Sequence, residues 1–201
     1  IRVVVGESTG FAHTTDLSAE GLRAAAGTAA AAARGGTGGT TVVDLTPVQA
    51  PSPSVVRMYP GDVPTKAKVE LLGRADSAAR AAGTSITQVS ARYGDTRRRI
   101  QVANSDGVLA SDDQVRTLFS VSAVAGGDTG LQTGRESIGH TVGFELFEDH
   151  SVEELAERAA QRAITKLAAR PAPSGTRTVV IGPGGGGVMF HEACGHGLEA
   201  D

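Results

Sequence analysis

From Ser85 to about Arg135 the hydrophobic pattern of the chain runs with a period of two. Ile86-Thr87-Gln88-Val89-Ser90-Ala91-Arg92-Tyr93 alternates, and Arg98 to Ala103 alternates again with Ile100 and Val102 on one side. Such a period sends successive side chains to opposite faces of a strand, so this stretch must build a sheet. Asp106-Gly107 is a turn signal inside it. Val115 to Ala125 reads as a longer strand with Leu118, Val121 and Val124 as core candidates. Strands that follow one another through short turns predict an antiparallel meander. A sheet buries its apolar face only against a second layer, which the rest of the chain must supply.

Helical patterns provide that layer. Asp16 or Ser18 can cap a helix running to about Arg34, with Leu17 and Leu22 as its larger apolar anchors and Gly35-Gly36 as its stop. Pro64 opens a second helix at a position where proline is tolerated, with Val69, Leu72 and Ala79 as its buried stripe and Gly83 at its end. Ser151-Val152-Glu153-Glu154 has capping-box spacing. It starts a helix with the stripe Val152, Leu155, Ala156, Ala159, Ala163 and Leu167. Aromatic residues make up only 3% of the chain, so the core must be built from Val, Leu, Ile and Ala.

Between these elements, Ile1 to Val5 reads as a strand and Phe11 to Thr15 as its return. Thr40 to Leu45 reads as another strand. Pro47 to Pro60 holds four prolines and reads as a loop. Gly126 to Gly143 is glycine-rich and polar, which predicts a plain surface loop. Pro171-Ala172-Pro173-Ser174-Gly175 is a linker signal, followed by a strand at Thr178-Val179-Val180-Ile181. The expected class is therefore α+β, with helices packed on a mixed, largely antiparallel sheet, followed by the start of a second domain. The expected boundaries are residues 1–170 for the N-terminal α+β domain, 171–175 for the linker and 176–201 for the start of a catalytic domain.

The chemistry is concentrated in His191-Glu192-Ala193-Cys194-Gly195-His196. Neutral imidazoles are good zinc ligands, and a carboxylate beside a metal can take a proton from water. The familiar His-Glu-x-x-His spacing puts two ligands on one helical face, whereas here the histidines are one residue further apart. On an α-helix, five steps rotate the second ring by about 140° from the first, so the pair cannot share an ion. A wide π-type turn, or a helix ending between the ligands, would bring the rings together. Gly195 and Gly197 flank His196 and tolerate such a break. Glu199 and Asp201 are candidates to orient a ligand histidine as hydrogen-bond acceptors. Cys194 reads as a small packing residue in preference to a metal ligand. His13, His140 and His150 stand alone in the sequence and are left out of the site.

Gly182-Pro183-Gly184 and the run to Gly187, then Val188-Met189-Phe190-His191-Glu192-Ala193-Cys194-Gly195-His196-Gly197-Leu198-Glu199-Ala200-Asp201, resemble the signature of the TldD/PmbA family of metalloproteases. Upstream, Arg2-Val3-Val4-Val5-Gly6-Glu7-Ser8-Thr9-Gly10-Phe11-Ala12 resembles the family's early strand and turn. Ala169-Arg170-Pro171-Ala172-Pro173-Ser174-Gly175 resembles its run into the catalytic half. The resemblance implies the active, TldD-type subunit: a Zn²⁺ peptidase in which His191 and His196 bind the metal and Glu192 is the general base. It implies peptides or unfolded segments as substrates and a TldE/PmbA-like partner subunit in a heterodimer. Members are more than twice this long and take a third ligand, a cysteine, from a C-terminal half. Ile1 begins inside a strand-like run without an initiator Met. The chain is therefore expected to be a fragment, inactive alone and holding metal weakly.

Other function classes find little support. Net charge is −3 and the pI about 6.0, with no basic patch for nucleic acid. Arg97-Arg98-Arg99 reads as a solvated strand face. No apolar run is long enough for a membrane span, and no signal peptide is visible. A single cysteine excludes an internal disulfide framework and suits a reducing compartment, so a cytoplasmic location is expected. The glycine run Gly182–Gly187 lacks the Lys and Ser/Thr of a phosphate-binding loop, and reads instead as a sharp turn with backbone groups free for an extended peptide. The alternative to a peptidase is a non-catalytic binding or assembly module with metal-free histidines, and a third reading is a metal-dependent hydrolase of another bond.

Overall fold

The computed structural model describes residues 1–34, 44–49, 55–128 and 130–199. The chain divides into two compact units, Ile1–Val56 with Thr96–Arg116, and Arg57–Asp95 with Thr117–Asp201.

In the first unit, the β-branched opening pairs with the residues that follow it. Strands β1 (Arg2–Val5) and β2 (Ser8–Phe11) are antiparallel, with Arg2 opposite Phe11 and Val5 opposite Ser8. The return strand starts earlier than the sequence suggests, because Gly6 takes a φ of 59° and closes the turn quickly. Helix α1 (Ala19–Arg34) follows a Ser18 whose Oγ accepts from the Gly21 N–H at 3.1 Å. Its buried face is Ala25, Ala29 and Ala33, and the expected anchors face outward: Leu17 is 78% exposed. Gly10 explains the difference. A methyl group there would overlap the Ala29 carbonyl oxygen, so the helix lies directly on the strand backbone and only alanine fits between them.

Strand β3 (Thr46–Gln49) runs parallel to the first residues of a long strand, with Thr46 opposite Val108 and Gln49 opposite Ser111. This corrects two expectations. Asp44 and Leu45 precede the strand instead of belonging to it, and Pro47 lies in a strand instead of a loop. Residues 35–43 and 50–54, which hold the expected glycine stop, residues 40–43 of the expected strand and part of the proline-rich loop, lie outside the described residues. Proline is admissible in β3 because that strand ends the order β3-β5-β4 and is therefore an edge.

The period-two stretch forms β4 (Ile86–Ala103) and β5 (Val108–Gly127), neighbours in the sheet joined by a tight turn. In that turn Asn104 Oδ1 accepts from the N–H groups of Asp106 and Val108, both at 3.0 Å, and Gly107 has a φ of 84°. Arg97, Arg98 and Arg99 lie exposed along β4 as expected. The Arg97 guanidinium bonds Asp113 and holds its carboxyl below the usual value.

In the second unit, β6 (Gly130–His140) pairs antiparallel with β5, with Thr117 opposite His140 and Gly127 opposite Gly130. The glycine-rich run is thus mostly a strand, not a surface loop. Its glycines serve a packing purpose, since a methyl at Gly134 would overlap the carbonyl oxygen of Ala159 in the helix that covers it. Along β5 every second residue of this unit is buried: Thr117, Phe119, Val121, Ala123 and Ala125. The expected spacing of three cannot hold in a strand. Leu118 therefore lies on the opposite face, 53% exposed, and Val124 is only half-buried.

Helices α2 (Thr65–Ala81) and α4 (Val152–Leu167) close this core. In α2 the buried residues are Leu71, Ala75 and Ala79, while Val69 is 59% exposed. The α4 stripe is as expected, with Val152, Leu155, Ala156, Ala159 and Ala163 buried and Leu167 partly so. Ser151 caps α4 by accepting from the Glu154 N–H at 3.2 Å. Tyr93, Phe119, Phe144 and Phe147 form one cluster with ring centroids 5.0 to 6.2 Å apart. Short helix α3 (Leu146–Asp149) follows Glu145. The expected α+β class is what the chain adopts. Residues 169–182 contain no helix or strand. The expected strand at Thr178–Ile181 does not form: among the described residues nothing pairs with it, and Val180 is 97% exposed. No helix among the described residues is long and apolar enough to cross a membrane.

Glu145 is the polar centre of the second unit. Its carboxylate accepts from the N–H groups of Arg57, Met58 and Gly143 at 2.9 to 3.1 Å. Burial disfavours the charged form, but the backbone donors outweigh it and hold the carboxyl below its ordinary value. A carboxyl lowered in the folded state adds stability wherever it is ionised. That contribution is complete above the unfolded value of about 4.3 and disappears as pH falls through the lower folded value. Glu145→Ala leaves three donors without an acceptor and should cost about 3 kcal/mol at pH 7 in urea unfolding, with a smaller difference from wild type below about pH 4. Gly134→Ala should cost about 3 kcal/mol in the same measurement, because α4 must lift from the strand.

Candidate metal centre

Helix α5 (Pro183–Phe190) leads into the motif, with Gly182 before it and Pro183 at its first position. The four glycines Gly184–Gly187 are wound into this helix, and the Gly186 N–H bonds the Gly182 carbonyl at 3.0 Å. They do not form the open turn with free backbone that the sequence suggests. Glycine in a helix costs about 1 kcal/mol relative to alanine, so α5 is weakly self-supporting.

At His191 the winding changes. Residues His191–Gly195 form a π-helical turn, and the His196 N–H donates to the His191 carbonyl, five residues back. This is the wide turn that the spacing demands. It brings the rings of His191 and His196 to 4.4 Å between centroids at an interplanar angle of 62°. Gly195 accommodates the arrangement, since a Cβ there would stand 3.3 Å from Nδ1 of His191.

Glu192 joins the pair. Its Oε2 is 3.6 Å from Nε2 of His196. One ligand atom from each of His191, Glu192 and His196 lies within 4.8 Å of the others. Two nitrogens bound to one tetrahedral zinc at about 2.1 Å stand roughly 3.4 Å apart, so modest side-chain rotation closes the set on an ion. Two imidazoles are donors that zinc accepts and the Glu192 carboxylate lies beside them, so the residues fit the group. All three side chains are exposed.

Immediately after the π turn the chain tightens into a 3₁₀ turn at His196–Leu198. Residues three apart eclipse in that geometry, which places Glu199 over His196. Glu199 Oε1 is 2.8 Å from His196 Nδ1. Asp201, the other candidate acceptor, lies outside the described residues.

The remaining candidates fall elsewhere. Cys194 is exposed instead of packed, and its Sγ donates to the Phe190 carbonyl at 3.1 Å. His13 lies near Phe11, with ring centroids 6.1 Å apart. His140 and His150 do not stand alone: their rings stack at 5.7 Å and 8°. They are ten positions apart, with the short helix α3 between them, so no periodic signal connects them. A cavity of about 290 Å³ in the second unit, lined by Met58, Leu71, Arg74, Phe144 and Phe147 among others, is marked by no sequence motif.

Comparison with known proteins follows the same lines. Residues 59–167 match the sequence model of the PmbA/TldA metallopeptidase central domain, and residues 1–33 that of PmbA/TldA metallopeptidase domain 1. A protein named metalloprotease from Methanothermobacter thermautotrophicus is 37% identical over 206 residues, covering 100% of this chain and 43% of its own length. Proteins named metalloprotease TldD homolog, from Buchnera aphidicola and Haemophilus influenzae, are 32% and 31% identical with the same coverages. The chain thus spans about 43% of the length of these relatives. The crystal structure of a Thermotoga maritima protein, described as a candidate modulator of a DNA gyrase, superposes with a TM-score of 0.65 over 87% of this chain and 38% of that one. At 18% identity, that likeness concerns the fold.

The placement of Cys194 yields a test. Cys194→Ser should change zinc affinity less than twofold in chelator competition, while the wild-type thiol reacts readily with a thiol reagent in the folded protein.

Proposed function

The chain belongs to the PmbA/TldD metallopeptidase family, and from that premise we propose that the protein containing it is a zinc-dependent peptidase acting on peptides or unfolded polypeptide segments. The observation that carries this reading is the convergence of His191, Glu192 and His196 across the π turn. The names of the relatives support hydrolysis of peptide bonds, and the donor set supports zinc.

His191 and His196 would hold the ion through ring nitrogens. When bound, zinc would supply Lewis acidity toward a water and a peptide carbonyl. Glu192 works beside it. Its carboxylate takes the proton released by the attacking water and hands it to the leaving amine, a general base that becomes a general acid within one turnover. The exposed position of all three side chains suits an extended polypeptide as substrate.

Two imidazoles fall one short of the three protein ligands usual for a catalytic zinc. In this reading a further ligand, a cysteine, comes from polypeptide beyond this segment, and residues 176–201 open the catalytic domain. The working form pairs with a PmbA-type subunit. A cytoplasmic location rests on the single cysteine, which suits a reducing compartment.

Glu192→Gln should leave zinc content intact and lower kcat for hydrolysis of an unfolded polypeptide at least about 100-fold. His191→Ala should lose the zinc as well. Stoichiometric zinc with unchanged cleavage in the glutamine variant would remove Glu192 from the chemistry. An intact protein free of zinc would remove the peptidase reading.

A further inference from the structure

The order of the two turns assigns a job to Glu199. Resting on the metal-site reading above, we infer that Glu199 is a positioning residue: it accepts the Nδ1–H of His196, fixes the tautomer of that ring, and leaves Nε2 as the nitrogen presented to the ion.

Three observations carry this. The Glu199 carboxylate stands 2.8 Å from Nδ1, a charge-assisted hydrogen-bond distance. The opposite nitrogen, Nε2, lies 3.6 Å from the Glu192 carboxylate, beyond hydrogen-bond distance. The 3₁₀ turn that brings Glu199 over the ring is closed by the Glu199 N–H to the His196 carbonyl at 3.4 Å. The carboxylate is thus tied at both its backbone and its side chain to the residue it orients.

The chemistry follows from the inventory of the ring. A neutral imidazole has one N–H and one lone pair. Glu199 is acceptor-only when ionised, so the nitrogen it faces must carry the proton, and the lone pair must lie on Nε2. Without that acceptor the ring is free to rotate and to carry its proton on either nitrogen. Half of the orientation needed for ligation is then left to chance. His191 has no such carboxylate partner among the described residues, its nearest ring contact being His196. The effect should therefore be confined to His196.

The test uses the intact protein, metal-free and then titrated with zinc alone, in wild-type form and as Glu199→Ala and Glu199→Gln. Nitrogen chemical shifts of the histidine rings report the tautomer directly. The expected wild-type His196 is the Nδ1–H form. Glu199→Gln keeps an oxygen acceptor and retains that form. Glu199→Ala shifts to a mixture or to the Nε2–H form, with zinc affinity lower by about 10- to 100-fold and helical content unchanged. A wild-type ring in the Nε2–H form overturns the inference, as does a Glu199→Ala protein whose tautomer and zinc affinity both match wild type. A wild-type Nδ1–H ring in a protein that takes up no zinc supports the role of Glu199 in orienting the ring and refutes the metal reading instead. The two claims therefore fail separately.

Discussion

Alanine helices lying directly on glycine-bearing strands are the contact on which both units depend. In the first, α1 meets β2 where Gly10 has no side chain, against Ala29 and Ala33. In the second, α4 meets β6 at Gly134, against Ala159 and Ala163. Each pair of alanines is four residues apart, so one helical face presents two small surfaces to one bare stretch of strand. At Gly10 and at Gly134 the helix backbone comes directly onto the strand. This is how a chain with so few aromatic residues fills its interior: it shortens the distance between layers instead of filling a wider gap. The few large rings it has are spent elsewhere, and Tyr93, Phe119, Phe144 and Phe147 gather around one end of the second core.

That packing explains which parts of the fold can be read in the sequence. The α4 stripe is legible because Val152 and Leu155 fall on the same face as its alanines. The burial of α1 is not, since its leucine, Leu22, is exposed, Leu17 precedes the helix, and its buried face is alanine alone, which carries little periodic signal. The run around Gly134 looks like a loop because its glycines look like breakers, and their purpose appears only when α4 lies across them. Leu118 illustrates a different failure, a helical spacing applied to residues that alternate. The strand at Thr46–Gln49 was hidden by Pro47, which an edge position permits.

The candidate site is more legible than the fold around it, for a geometric reason. Two histidines five positions apart cannot be reconciled with regular winding, so either the pair means nothing or the backbone departs from an α-helix. The backbone departs: a wide turn places 191 beside 196, and a tight turn then places 199 beside 196. One expansion and one contraction of the helix bring two imidazoles together edge to face and set a carboxylate on each side of His196. What the spacing could not reveal was which carboxylate meets which nitrogen, because that depends on the second turn. The surroundings of the motif are less legible. The glycines before it suggest an open turn, yet they wind into α5, which ends where the π turn begins.

The most direct measurement is anomalous diffraction at the zinc edge from crystals of the intact protein grown with zinc. The account predicts one peak with a nitrogen of His191 and Nε2 of His196 each at about 2.1 Å, Glu192 beside it and Glu199 on the far nitrogen. A peak touching only one of the two imidazoles, or rings turned apart with no peak between them, would contradict it.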